Sequence, residues 1–190
     1  NALAAIGAVE QFSFNSEEIK KGLEKVKNIP GRLEYITGKQ PFPIIVDKAN
    51  TPAAFCGIID FIKILKVKKK IAIYGNFGES PKEEREKLAT IATNFFDLTI
   101  ITEDDPQELS PQPSIDDFLN FVKKKNIPSE KYLAVSKRKE AIRKAIQLAK
   151  KGDLIVILGR GNEKIMDYGI KTVHFDDREV TREVLKEEGY

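Results

Sequence analysis

Leu154-Ile155-Val156-Ile157-Leu158 is an unbroken run of apolar residues, followed at once by Gly159-Arg160-Gly161. A run this short, rich in β-branched side chains and closed by glycine, predicts a strand covered on both faces. Ile44-Ile45-Val46-Asp47, Ile71-Ala72-Ile73-Tyr74 and Leu98-Thr99-Ile100-Ile101 share that character. Strands of this kind belong to parallel sheets, whose neighbours must be joined by long crossovers, usually helices.

The intervening segments supply those helices. Thr51-Pro52 sets an N-cap beside a proline at the first helical position, and Phe55, Ile58, Ile59, Ile62 and Leu65 trace one apolar stripe after it. Ser80-Pro81 repeats the arrangement with Glu83 and Glu84 following, and Ser114 precedes Asp116 and Asp117. A fourth helix is expected over Ser136–Lys150, with Ala141, Ile142, Ala145, Ile146 and Ala149 on its apolar face and Gly152 closing it. A last strand near Ile170–His174 and a helix from about Asp177 to Glu188 complete the pattern. The predicted class is α/β, a Rossmann-like open sheet of about six strands with flanking helices.

Ahead of the sheet, Asn1 to Val26 reads as two short helices, with Ser16 as an N-cap and Ile19, Leu23 and Val26 on one face. Asn28-Ile29-Pro30-Gly31 ends that unit, because a Pro-Gly pair stops a helix and makes a hinge. The expected division is therefore a helical segment, 1–29, and an α/β domain, 30–190.

Composition narrows the function classes. With 41% hydrophobic and 32% charged residues the chain can build a core and a well-charged surface, so disorder is excluded. No apolar run approaches the roughly 18 residues of a membrane span, and Ala2 to Val9 lacks the basic start of a signal peptide, so a cytoplasmic protein without a membrane partner is expected. One cysteine and one histidine cannot form a disulfide, a cysteine-rich zinc cage or a multi-histidine site, and no metal site is expected. Cys56, on the Thr51–Leu65 helix, is expected to be a packed structural thiol, and His174 a packing or hydrogen-bonding residue. The basic runs Lys66–Lys70 and Lys123–Lys125 have no interleaved aromatics, which argues for solvated charge and against a nucleic-acid partner.

Open α/β sheets bind ligands beyond the carboxyl ends of their strands, which here places the chemistry on Lys48–Asn50, Gly75–Ser80, Thr102–Gln107 and Arg160–Glu163. The glycines of Gly75-Asn76-Phe77-Gly78-Glu79-Ser80 are consistent with an anion cradle or with an ordinary strand-to-helix turn. Gly159-Arg160-Gly161 fails the dinucleotide fingerprint because Lys164 stands where its third glycine belongs. A phosphate loop is absent: Gly38-Lys39 precedes Gln40 rather than Ser or Thr, and Leu33 stands at the first glycine position. The acids of Glu103-Asp104-Asp105-Pro106, with Glu163 on a neighbouring loop, could hold an ammonium group or be solvated caps.

Three stretches resemble signatures of the Mur ligases. Val46-Asp47-Lys48-Ala49-Asn50-Thr51-Pro52 stands where that family usually reads Val-Asp-Tyr-Ala-His-Thr-Pro, and Gly159-Arg160-Gly161-Asn162-Glu163 where it reads Gly-Lys-Gly-His-Glu. Phe175-Asp176-Asp177-Arg178-Glu179-Val180 is similar to the start of its final helix, and Pro30-Gly31-Arg32-Leu33-Glu34 to its passage into the C-terminal domain. The likeness is greatest to the MurE type, which adds the third peptide residue to UDP-N-acetylmuramoyl-dipeptide. It implies that Asn1 to Ile29 is the end of a central ATPase domain and that the chain is the C-terminal part of a longer peptidoglycan-synthesis ligase, inactive alone. In such an enzyme ATP, with Mg2+, phosphorylates the substrate carboxylate, and an amino acid attacks the acyl phosphate.

By position, the resemblance puts Arg32, Asp47 and Asn50 on the nucleotide side, Lys82 and Arg85 in the basic catalytic loop, and Asp104, Asp105, Gln107, Gly159 and Glu163 in the amino-acid pocket. The departures are as informative. Lys48 replaces a tyrosine, Asn50 and Asn162 replace histidines, and Glu83 and Glu84 stand among the phosphate-facing residues, where they oppose a polyphosphate. Gln107 replaces the arginine that clamps the distal carboxylate of diaminopimelate, so a lysine-like amino acid is favoured. The alternatives are a divergent, non-catalytic domain of the same family and an unrelated nucleotide-binding domain.

Overall fold

The computed structural model describes residues 2–107 and 110–190, so Asn1 of the expected helical segment lies outside the described residues. Four strands form where the apolar runs predict them: β2 (Ile44–Asp47), β3 (Lys70–Asn76), β4 (Leu98–Glu103) and β6 (Leu154–Leu158). They join two short edge strands, β1 (Glu34–Tyr35) and β5 (Tyr132–Ala134), in a sheet of order β1-β2-β6-β3-β4-β5. Every neighbouring pair is parallel except β1 with β2. The remaining two strands, β7 (Ile165–Asp167) and β8 (Thr172–His174), form a separate antiparallel hairpin. The strand expected near Ile170–His174 thus exists but does not enter the main sheet, and Ile170, in its turn, is 97% exposed.

Alternation along the strands divides the core into two layers. Ile45, Ala72, Tyr74, Val156 and Leu158 face helices α3 (Pro52–Lys63), α4 (Lys82–Phe95) and α5 (Gln112–Lys124). Ile44, Val46, Ile71, Ile73, Ile155 and Ile157 face α6 (Arg138–Leu148) and α7 (Asp177–Glu187). Sheet faces covered on both sides explain why the strands lack polar breaks. The chain runs outward from β3 through β4 to β5 and returns to insert β6 between β2 and β3. That reversal gathers the carboxyl ends of β2, β6, β3 and β4 at one rim.

Several helix starts differ from the sequence reading. Asn15, not Ser16, caps α2 (Ser16–Glu24), in a reciprocal capping box with Glu18. Ser80 lies outside α4, whose N-cap is Pro81. In α5 a proline within the first turn starts the helix ahead of Ser114, and the buried Ser114 hydroxyl accepts from the Asn76 amide instead. The Ser136 carbonyl accepts the Glu103 N–H, which holds it beside β4 and delays α6 to Arg138. Cys56 is exposed rather than packed, because Phe55, Ile58, Ile59 and Ile62 carry the buried stripe of α3. His174 is exposed beside Glu179, 2.6 Å away.

Helix α1 (Ala2–Glu10) and α2 bury no residue, and Ala5, Ile6, Val9, Phe14, Ile19 and Leu23 line a shallow apolar recess between them. No helix of the described residues is long and apolar enough to cross a membrane.

Candidate functional site

Asp104 follows directly on β4 and is enclosed by the neighbouring strand ends. Gly159 makes this possible: at φ 116° it adopts a conformation open to glycine, and a Cβ there would stand 2.4 Å from Asp104 Oδ2. Burial pushes the Asp104 carboxyl up to about 6, although the Arg138 and Arg160 guanidiniums draw it back down. Asp105, turned to positive φ, puts its carboxylate against the same arginine from the other side.

Arg160 is the hub. Its side chain is fully buried, with one terminal nitrogen 3.0 Å from Asp104 Oδ1 and 2.6 Å from Asp105 Oδ1, and the other donating to the Ile165 carbonyl. The same nitrogen that meets both aspartates lies 3.8 Å from Glu163 Oε2, while Lys48 Nζ lies 2.8 Å from Glu163 Oε1. Asp104, Asp105 and Glu163 each offer a carboxylate oxygen, all within 4.8 Å of one another. The hairpin closes one side: Asp167 N–H donates to Asp105 Oδ1 at 2.9 Å, and Gln107 N–H to the Asp167 carbonyl at 2.9 Å.

A second arginine lies just beneath. Arg138, at the first position of α6, makes a paired contact with Asp177 of α7 at 2.7 and 2.8 Å, and donates to the Leu158 carbonyl at 2.8 Å. Glu103 completes this layer, accepting from Arg138 N–H at 3.2 Å and from the Tyr168 hydroxyl at 3.1 Å. Burial and the Glu103 carboxylate push that hydroxyl up to about 12, so it stays a donor at neutral pH. Arg138, Asp177 and Tyr168 were not assigned roles from sequence, and Glu103, read there with the acids that could hold an ammonium group, turns to Arg138 and Tyr168 instead. The one available signal was a cation in the first turn of a helix, where the dipole disfavours it unless an acid compensates.

The structure thus brings Asp104, Asp105, Gly159 and Glu163 together, with Gln107 at the margin. Among the described residues, the side chains of the other assigned residues form no hydrogen bond or ion pair with that cluster, although the Asp47 carbonyl accepts the Gly159 N–H at 3.2 Å. Both Asp47 oxygens accept backbone N–H groups, from Ala49 and Leu33 at 2.8 Å each, so this acid ties the segment before β1 to the end of β2. Arg32 and Asn50 are exposed. Lys82 and Arg85 turn toward α5, where Asp117 lies 3.7 and 2.9 Å from them. In the Gly75–Ser80 turn, Gly78 N–H donates to the Asp105 carbonyl at 3.1 Å and Ser80 N–H to the Phe77 carbonyl at 2.9 Å. Those two amides serve the turn and the acidic loop.

The chain is similar to known ligases along nearly its whole length. Residues 31–161 match the family described as Mur ligase, glutamate ligase domain. The UDP-N-acetylmuramoyl-L-alanyl-D-glutamate--2,6-diaminopimelate ligase of Clostridium tetani is 37% identical over 189 residues, which are 98% of this chain and 38% of that protein. The ligase of the same name from Halalkalibacterium halodurans is 37% identical over 187 residues, 98% of this chain and 37% of that one. A solved structure of a ligase of that name superimposes with a TM-score of 0.75 at 25% identity, over 99% of this chain and 38% of its own. The Thermotoga maritima UDP-N-acetylmuramate-alanine ligase, at a TM-score of 0.62 and 14% identity over 98% of this chain and 36% of its own, shares the fold. The chain therefore spans less than two fifths of the length of these relatives. It belongs to the Mur ligase family.

Proposed function

We propose that this chain is the C-terminal part of a MurE-type ligase that adds an amino acid to a UDP-N-acetylmuramoyl-peptide in peptidoglycan synthesis, and that it positions the incoming amine. In this reading residues 30–190 are the C-terminal domain and 1–29 the end of the central domain. The wholly unburied surface of α1 and α2 supports that division, because an apolar recess on a short helical pair calls for further protein against it.

The observation that carries the reading is the convergence of Asp104, Asp105 and Glu163 at the rim of the sheet. Carboxylates gathered from two strand ends, with one edge open at Glu163, suit a charge-assisted grip on an ammonium group. Nucleotide and metal fit less well: Arg160 and Lys48 already pair with the three acids, and Asp47 has both oxygens on backbone amides. ATP and Mg2+ accordingly belong mainly to the preceding domain, with Arg32 and Asn50 at its border, and Lys82 and Arg85 would act on phosphate only after leaving Asp117. The relatives are named for diaminopimelate. This chain's own pocket has Gln107, which offers no bidentate cation to a distal carboxylate, and so favours lysine.

The internal pairing of the acids with Arg160 and Lys48 favours a second reading, a domain that keeps the family's fold without its catalysis. Calorimetric titration of the full-length protein separates the two. With a non-hydrolysable ATP analogue and UDP-muramoyl-dipeptide present, the ligase reading expects lysine to bind, and Glu163→Ala to weaken it about tenfold or more through loss of a charged hydrogen bond. Failure to bind nucleotide or either amino acid supports the second reading.

A further inference from the structure

Glu163 differs from its two neighbours in the kind of cation that holds it. Asp104 and Asp105 rest on the buried Arg160, and Asp105 is fixed further by the Asp167 amide. Glu163 lies 3.8 Å from Arg160 but meets the ammonium of Lys48 more closely, at 2.8 Å, and both side chains of that pair are about one third exposed. The Lys48 backbone is clamped: its N–H donates to the Gly31 carbonyl at 3.0 Å, and its Cα and Cβ pack so closely on Gly161 that a Cβ at 161 would stand within 3 Å of them. Only the flexible four-carbon stem is free to swing.

The group on Glu163 is a primary ammonium, the same group that an incoming amino acid presents. Exchange of one for the other conserves the charge of the cluster, in which Asp104, Asp105 and Glu163 face Arg160 and Lys48. We propose that Lys48 is a specificity-determining residue that competes with the substrate amine for Glu163. The inference rests on the assignment of Glu163 to the amine in the proposed function. Because the pair is partly solvated, the competitor is weak, and a ligand anchored elsewhere in the pocket displaces it. A bare amine gains no such advantage.

The test is calorimetry on the full-length protein, titrated with L-lysine and with meso-diaminopimelate under the ternary conditions above. Lys48→Met keeps the apolar stem and removes the charge; it is expected to tighten amino-acid binding about two- to fivefold. Lys48→Arg should retain wild-type affinity, and Glu163→Gln should lose about tenfold in affinity. If Glu163→Gln loses that affinity while Lys48→Met binds unchanged or more weakly, the competition is overturned and the pocket assignment stands. If Glu163→Gln binds normally, or no variant binds at all, both readings fall. A second measurement avoids substitution at position 48. In the 15N-lysine-labelled protein, the Lys48 ammonium resonance should lose its protection from solvent exchange on saturation with amino acid. Undiminished protection in the saturated complex would overturn the proposal.

Discussion

Arg138 and Arg160 are both completely buried at the same rim of the sheet, yet their hydrogen bonding differs. Arg138 uses each guanidinium nitrogen: Nε and one terminal nitrogen on Asp177, the other on the Glu103 carbonyl at 3.3 Å. Arg160 crowds two aspartates onto one nitrogen and leaves its Nε buried without a partner among the described residues. A buried donor left unmade costs about 1–3 kcal/mol. The difference separates two uses of buried charge. The Arg138–Asp177 pair locks α6 to α7, whereas the Arg160 cluster is an imperfectly matched set whose outer member, Glu163, stays open to water.

The largest effect should come from breaking the matched pair. Arg138→Ala strands Asp177 at 0% exposure, and removal of one partner from a buried ion pair typically costs about 3–5 kcal/mol. Urea denaturation is expected to show a loss of that size, with partial recovery in the Arg138→Ala/Asp177→Ala double variant. Arg160→Ala should cost less, since water can reach Asp105 and Glu163. Equal losses in the two single variants would erase the distinction.

The mismatched cluster should also show itself through pH. The Asp104 carboxyl is raised from 3.8 to about 6 in the fold, so the folded protein holds this proton more tightly than the unfolded chain does. Stability from this group is therefore fully present below pH 3.8 and is lost as pH rises through about 6. Asp104→Asn removes the titration. Its stability relative to wild type should climb across that window by about 2–3 kcal/mol and stay level above it. A flat difference between denaturation curves across the window would show that Arg160 compensates the aspartate fully.

How far such features can be read in advance depends on the range of the interaction. The four buried strands announce themselves through local composition, because burial on both faces leaves mostly apolar residues in their central positions. β1 and β5, two and three residues long with no fully buried position, carry no such mark. The strand expected near Ile170–His174 forms as β8 outside the main sheet, because a strand pattern does not say which sheet receives it, and its partner β7, only three residues long and with Ile165 exposed, carries no comparable mark. At the rim, the convergence of Asp104, Asp105 and Glu163 was expected because their loops follow neighbouring strand ends, while their assignment to an amino-acid pocket came from the family resemblance. The Arg138–Asp177 contact joins residues far apart in sequence and leaves no spacing to detect. Lys48 was visible as a departure from the family pattern, but its contact with Glu163 needed coordinates.

The same two helices supply the smallest expected effect and the sharpest control. One turn and a half beyond Arg138 on α6, Arg143 reaches Glu187 and Glu188 near the end of α7, as well as Glu140 on its own helix. These contacts join α6 to α7 as Arg138 does, and their carboxylates draw the Arg143 guanidinium above its ordinary range. Their surroundings differ, because the acids are 25–54% exposed and water solvates every charge before and after folding. Exposed pairs gain little and are screened by salt, so Arg143→Ala should barely move the urea midpoint at low ionic strength and not at all at about 1 M salt. If Arg143→Ala instead matched Arg138→Ala, and the loss persisted in salt, then helix-to-helix linkage rather than burial would set the strength of these pairs. Burial predicts the opposite order, since removing a partner is costly only where the remaining charge has no water to turn to.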